Sequence, residues 1–588
     1  MKYKSYNENI KIANIDDILK SRGIENVDKW KNAGWDDINS PFAFGKEVVE
    51  KAVEFIKQAV ENKWKVSVIV DSDQDGYAAS AIALNYLYQL YSWNLNQDKC
   101  KELLTYYIHD GKQHGLADCY KDLPQDAKLI WLPDCATNDI EEMKYLVARG
   151  KKIIVTDHHM SDEWLIDDNV AILNNQICDY PNKDLAGAGV TWQLCRAYDE
   201  IYGLHFADDY IDLAALGCAV DMMDYTSIET RAIIQEGLKN IRNPYFYYMA
   251  EKNKFSIDKM GGINYMSISW YIGPFTNAIC RTGTMKEKDL IFKSFLQMYA
   301  FDKIESGKRG HKGELVPLVE EAVRVCGNVK NRQTKLQNEA MDFIREKIED
   351  ENLLDHGIIM ILTEQDEIDP SVRGLIANKI QAEYQHPCYI LTKSKTKEDK
   401  EYFYRGSGRN YSMSENQDLR ATVLETGLVE SCEGHNNAHG LSIAEKNIDE
   451  FIKKTDEQYE NISHEPVYIV DCVWNKNEVD PQMILDIANG KEYWGQGISE
   501  PLICLKDIPI GTNNVQLLSA QKNPTLKIHL DNGVDVMKFK SSEEEYLKLT
   551  EPNTLITLVG SANRNEWMGH VTPQIMCKEY DIKQEWIF

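Results

Sequence analysis

The chain has 588 residues, 43% of them hydrophobic and 27% charged. That balance is too apolar for a disordered protein, and the length suits about three or four domains. The net charge of −27 excludes a protein that coats duplex nucleic acid through a general positive field, although 66 Lys and Arg remain to line a local groove. No apolar run approaches the ~18 residues of a membrane helix. The amino end lacks a secretory signal, and the 13 cysteines include no CxxC pair. A cytoplasmic protein with reduced thiols and no membrane association is expected. Residues 1–45 are polar and weakly periodic, and read as an amino-terminal extension. From residue 46 an amphipathic helix (KEVVEKAVEFIKQAV) leads to the apolar run KVSVIV, then DSDQDG, then a helical run from Tyr77 to Tyr91. The alternation continues through KLIWLPD, NDIEEMKYLVARG, KKIIVTDHH and AILNN, which predicts βαβ units on a parallel sheet over 46–285. Residues 286–350, rich in Lys, Glu, Leu and Ile, predict a helical connector. A second α/β pattern occupies 351–455 (HGIIMILT, SVRGLIANKIQAEYQ, PCYILT, YFYRGSGRN). From 456 to 588 short strands with turn signals predict a small β-barrel. The fold class is α/β.

Three of the apolar runs end in acidic residues: KVSVIV at Asp71, Asp73 and Asp75, KLIWLP at Asp134, and KKIIVT at Asp157 with His158 and His159. The carboxyl ends of parallel strands form a ligand crevice. Five aspartates and two histidines would gather there, and cations would relieve their repulsion. The helical segment DLAALGCAVDMMD brings Asp221 and Asp224 within reach of the same crevice. Mixed Asp and His donors suit Mn(II), or Mg(II), better than Ca(II). Two such ions about 3.5–4 Å apart can activate a bridging water for in-line attack on phosphorus. An EF-hand reading of DSDQDG fails, because Ile82 stands at the twelfth position in place of Glu and a strand precedes the loop. A lone aspartate after a strand is ordinarily a helix N-cap, the plain reading of Asp134 by itself, and lone histidines are ordinarily structural. The coincidence of three clusters favours a metal site.

The series DSDQDG, PDCATND, TDHH and ALGCAVDMMD, in that order, resembles the DHH phosphoesterase superfamily, and within it the RecJ-like single-strand-specific 5′-to-3′ exonucleases. LAGAGVTWQL and GPFTNAICRTG resemble further segments of the catalytic domain. RGSGRN and CEGHNNAHG resemble the G-S-G-R and G-G-H-x-x-A-x-G motifs of the DHHA1 domain, and YWGQGISEP and NEWMGHVTPQI the landmarks of an OB-like barrel. The resemblance covers residues 46–588. It implies a DHH catalytic domain at 46–285, a DHHA1 domain at 351–455 and an OB-like nucleic-acid-binding domain at 456–588.

Carried over residue by residue, the resemblance makes Asp71, Asp73, Asp75, Asp134, His158 and Asp221 ligands of two divalent ions, with Mn(II) preferred to Mg(II). Asp157, His159 and His435 become catalytic residues. Asn277, Arg281, Arg373, Ser407, Gly408 and Arg409 become contacts to the phosphodiester chain. Trp494 and Trp567 are candidates for base stacking in the barrel, with burial in the core the equal alternative for either. The implied activity is release of 5′-mononucleotides from single-stranded DNA by a monomer, in DNA repair or recombination. Single-strand-binding protein or other repair and replication proteins are the implied partners. Three departures bear on rate or 5′-end preference. Glu433 replaces the first Gly of G-G-H; Asp369 replaces a His before a P-G-V motif, where Arg373 adds a cation; and Ala136 replaces a Gly. Two alternatives compete. A DHH/DHHA1 phosphodiesterase for short oligonucleotides or nucleotides would not need the added barrel. A non-catalytic DNA-binding replisome module would not need every acidic ligand position filled.

Overall fold

The computed structural model describes residues 1–584 apart from 8, 9, 11, 112, 397, 398 and 520. It divides into two compact units, residues 23–330 with 490–500, and residues 1–22 with 331–489 and 501–588. The first strand, β1 (Lys2–Ser5), belongs to the second of these and pairs in parallel with residues 467–470.

In the 23–330 unit, β2 (Lys65–Val70), β3 (Leu104–Ile108), β4 (Ala127–Pro133), β5 (Lys152–Asp157) and β6 (Val170–Asn174) form the expected parallel sheet, in the order β3-β2-β4-β5-β6. All but the edge strand β3 read as continuous apolar runs because both faces are covered. On one face Ile69, Ile130, Leu132, Ile153 and Val155 cluster with Met143 and Leu146 of the helix Ile140–Val147. Towards the other, the Trp131 indole donates to Thr156, whose hydroxyl meets that of Thr191 on the helix Gly187–Tyr202. The chain passes from β2 to β3 on one side and returns to β4 on the other. The strand order therefore reverses between β2 and β4, where open α/β sheets place their ligands.

The region expected to be a helical connector contains the helix Met285–Phe295, a hairpin of β7 (Lys303–Glu305) and β8 (Leu315–Pro317), and a helix of 33 residues, Leu318–Asp350. Residues 490–500 pack within the same unit as the parallel sheet. The Tyr225 N–H donates to the Gln496 carbonyl, and Trp494 is 0% exposed. Trp494 is therefore a core residue, one of the two readings its sequence allowed, and not a base-stacking platform.

The second unit holds two sheets. β9 (Ile359–Thr363), β10 (Cys388–Ser394), β11 (Phe403–Arg409), β12 (Val429–His435) and β13 (Ala438–Ala444) run in the order β12-β13-β11-β10-β9, antiparallel except for β9 with β10. β14 (Val467–Val470) is the partner of β1. The carboxyl-terminal strands are β15 (Cys472–Trp474), β16 (Leu502–Ile510), β17 (Val515–Leu518), β18 (Thr525–His529), β19 (Asp535–Phe539), β20 (Thr554–Trp567) and β21 (His570–Gln584). They form a seven-stranded sheet in the order β15-β16-β20-β21-β19-β18-β17. The amino-terminal stretch is tied into this unit. Arg22, just past the helix Ile15–Ser21, makes a buried two-pronged bond to Asp471 at 2.7 and 2.8 Å. Among the described residues no helix is long and apolar enough to cross a membrane.

Candidate metal centre

The site begins at the carboxyl end of β2. Asp73 caps the helix Gln74–Ser92, its Oδ1 accepting from the Gly76 N–H at 2.9 Å. Asp75 lies in the first turn of that helix and is fully buried. Its two oxygens accept from the N–H groups of Gly187 and Ala188, at 2.7 and 3.1 Å, where the helix Gly187–Tyr202 starts. Glycines make room for these charges: a Cβ on Gly217 would stand 2.1 Å from Asp75 Oδ1, and one on Gly187 2.4 Å from Asp134 Oδ1.

Asp134 follows β4 in left-handed backbone, with φ 63°, and Ala136 repeats that conformation at φ 74°. The next helix begins only at Ile140, so Asp134 is not the cap it resembles in isolation. Asp134 is 1% exposed, and its Oδ1 has no hydrogen-bond partner. That oxygen lies 3.2 Å from His158 Nε2, which is also 3.4 Å from Asp221 Oδ2 and 3.9 Å from Asp75 Oδ2. Asp221 stands at the carboxyl end of the helix Ile211–Val220. Potential ligand atoms of Asp75, His158 and Asp221 lie within 4.8 Å of one another, as do those of Asp71, Asp73 and Asp134. The short Asp134–His158 separation joins the two groups.

Electrostatics fits cation binding. Burial first, and then the neighbouring carboxylates, push Asp134 and Asp221 well above the usual carboxylate range, and Asp75 up to about 7. Asp71 is raised by burial, against the pull of His114. Burial and the charge of His159 bring His158 down to about 4, so its imidazole is neutral and able to ligate.

Asp157 differs from the others. Burial would raise it, yet bonds from His159 and Thr137 hold it well below the ordinary range. Its Oδ2 accepts from the Thr137 N–H and hydroxyl, and its Oδ1 meets the His158 and His159 N–H groups and His159 Nδ1. It braces the loop. His159 keeps 57% of its side chain exposed; partial desolvation against the crevice works against its charge, but the bond to Asp157 lifts it to about 9. Asp224 turns away from this chemistry and accepts from the Thr226 N–H and hydroxyl.

Asn277 and Arg281 lie on the helix Gly273–Thr282, whose first residue abuts Val220 and Gln74. Among the described residues neither side chain forms a hydrogen bond or ion pair. The remaining candidates occupy the other unit. Strand registers place Arg405, Ser407 and Arg409 of β11, Gly440 and Ser442 of β13, and Glu433 and His435 of β12 on one sheet face. Arg409 and Ser407 approach Gly374, at the start of the helix Arg373–Tyr384. Arg373 Nη2 donates to the Ile368 carbonyl. Gly408 faces the opposite way, where a Cβ would stand 2.2 Å from Tyr389. Glu433 is exposed opposite Gly440, and Asp369 is tied to Ser371 in the turn before the helix. His114 and Thr137 belong to the centre although sequence reasoning passed over both. The one available signal was their place in the loops after β3 and β4, at the reversal of strand order.

A parallel sheet whose strand ends collect buried carboxylates around a neutral histidine defines a DHH-type protein. The DHH family N-terminal domain is matched over residues 65–218, and the RecJ OB domain over 470–579. YorK of Bacillus subtilis (strain 168), named as an SPbeta prophage-derived single-strand DNA-specific exonuclease, is 32% identical over 572 residues, covering 96% of this chain and 95% of that protein. RecJ of the same organism, named a single-stranded-DNA-specific exonuclease, is 23% identical over 574 residues, covering 94% of this chain and 65% of RecJ. The fold is similar to a crystal structure of RecJ from Thermus thermophilus in complex with Mn2+. The TM-score is 0.68 at 19% identity, covering 92% of this chain and 72% of that one. The chain belongs to the DHH family, in the RecJ-like group of these relatives, as its motif series led us to expect.

Proposed function

We propose that the chain is a metal-dependent exonuclease that degrades single-stranded DNA from its 5′ end and releases 5′-mononucleotides. The observation that carries this reading is His158 Nε2, which lies within 3.2–3.9 Å of oxygens from Asp134, Asp221 and Asp75. The unpaired Asp134 oxygen and the mixed Asp and His donors fit a pair of divalent cations. Asp75, His158 and Asp221 would hold one, Asp71 and Asp73 the other, with Asp134 between them. Bound there, Mn(II) or Mg(II) supplies Lewis acidity that activates water and offsets charge on the leaving oxygen. Family members named as single-strand-DNA exonucleases, together with RecJ crystallised with Mn2+ or Mg2+, support substrate and metal alike.

The chain's own residues orient and screen. Asp157 fixes the His158 and His159 backbone through its bonds, and His159 is a cation placed next to the metal ligands. Arg281 and Asn277, and in the other unit Arg373, Ser407, Arg409 and His435, take phosphate oxygens. Arginine suits this because its planar fork meets them two at a time. The protein works as a cytoplasmic monomer, with single-strand-binding protein or other repair and replication proteins as neighbours.

The test is a time course on a single-stranded oligonucleotide labelled separately at each end, with Mn(II) and with chelator. Early release of the 5′-labelled mononucleotide, lost with chelator, is the expected result. Hydrolysis confined to di- to tetranucleotides would replace this reading with that of a short-substrate phosphodiesterase.

A further inference from the structure

We propose that His114 is the positioning residue for Asp71 and sets how tightly the centre holds its cations. This rests on reading Asp71 as a ligand. The other carboxylates of the cluster that are held by hydrogen bonds have backbone N–H donors: Asp73 that of Gly76, Asp75 those of Gly187 and Ala188, and Asp157 those of Thr137, His158 and His159. Asp71 is different. It is 1% exposed, and its two oxygens lie 2.9 and 2.8 Å from a single atom, Nδ1 of His114. Among the described residues no other group hydrogen-bonds that carboxylate.

The sheet order makes the contact possible. β3 lies beside β2, with Ile108 opposite Val70, so a residue in the loop after β3 reaches the residue that follows β2. The loop is anchored immediately beyond His114. Gly115 adopts φ 67°, leaving space for the Asp139 carboxylate, which accepts from the Leu116 N–H at 2.6 Å, and Leu116 is fully buried. His114 thus stands on a fixed stem and clamps a carboxylate that its neighbours Asp73 and Asp134 would otherwise repel. Losing an outer partner of a metal ligand typically costs 10–100-fold in affinity. The imidazole is 63% exposed, so its removal opens no cavity.

The experiment titrates Mn(II) into the full-length, metal-stripped protein and follows free Mn(II) by electron paramagnetic resonance, alongside the melting temperature without metal. His114→Ala is expected to weaken Mn(II) binding roughly 10- to 100-fold and to lower the metal-free melting temperature slightly, because Asp71 loses its partner. His114→Asn, whose side-chain N–H can still reach Asp71, should recover most of that loss. Asp134→Asn, as control, should abolish tight binding. Wild-type Mn(II) affinity in His114→Ala, with Asp134→Asn deficient, overturns the proposal. So does a loss in His114→Ala that His114→Asn fails to rescue. Wild-type affinity in Asp134→Asn would instead overturn the metal-centre reading, and this inference with it.

Discussion

Asp134 carries a cost that only a ligand removes. It is fully buried, its Oδ1 has no hydrogen-bond partner, and burial and four surrounding aspartates oppose its charge. Its backbone lies in the left-handed region at φ 63°, which Asn tolerates at least as well as Asp. Asp134→Asn should therefore abolish activity yet stabilise the metal-free protein, because the amide carries no charge for burial to oppose and can donate to His158 Nε2, 3.2 Å from the oxygen that has no hydrogen bond. A gain of about 1–3 kcal/mol is the scale of one unsatisfied buried polar group. Differential scanning calorimetry in chelator should show the variant melting above wild type. Mn(II) should raise the wild-type transition only, and a variant that melts lower in chelator would count against the repulsion. Asp73, Asp75, Asp134, His158 and Asp221 were legible in the sequence because each sits at the end of an apolar run or helix with a recognisable period. His114 was not, since its contact with Asp71 depends on β3 lying beside β2, and no local periodicity encodes strand order. Trp494 was ambiguous for a similar reason: a tryptophan between glycine-rich turns has the same sequence whether it is buried, as here beside Tyr493, or left open to a base.

Among the elements, β2, β4, β5 and β6 were readable because a strand buried on both faces needs an unbroken apolar run, whereas β3, at the sheet edge with a half-buried centre, gave no such run. β1 was not readable. Its residues KYKS alternate between exposed and half-buried, and only pairing with β14 makes them a strand. The hairpin of β20 and β21 is the element with the clearest functional consequence. Its two-residue turn, Met568 and Gly569, has positive φ at both positions, the geometry that matches strand twist in a tight hairpin. The turn leaves Trp567 69% exposed at the tip, beside Met568 and His570. A large exposed ring on a rigid hairpin suits base stacking, worth about 1–3 kcal/mol per base. Trp567→Ala should accordingly weaken binding of single-stranded DNA by roughly 5- to 150-fold, with no change in melting temperature. Fluorescence anisotropy with a labelled oligonucleotide measures the first, and a thermal scan the second. Unchanged affinity would leave the tip without a role in strand binding.

For the whole molecule, the net charge of −27 sets a long-range field that repels the polyanion the site is built to accept. Binding must come from short-range contacts, and the proposed guanidinium groups are Arg281, Arg373 and Arg409. Each phosphate neutralised on a single strand contributes a slope of about −0.7 in log affinity against log salt, so three give about −2. A fourfold rise in salt, from 50 to 200 mM, should then weaken binding roughly 20-fold. The global repulsion acts in the opposite sense, because added salt screens it over a Debye length that shortens to about 10 Å near 0.1 M. The curve should consequently be shallow at the lowest salt and steepen above it, a shape that a uniformly basic protein would not give. Arg409→Ala should weaken affinity and make the log–log curve less steep by about 0.7. An affinity independent of salt between 50 and 200 mM would show that these arginines do not track the phosphates.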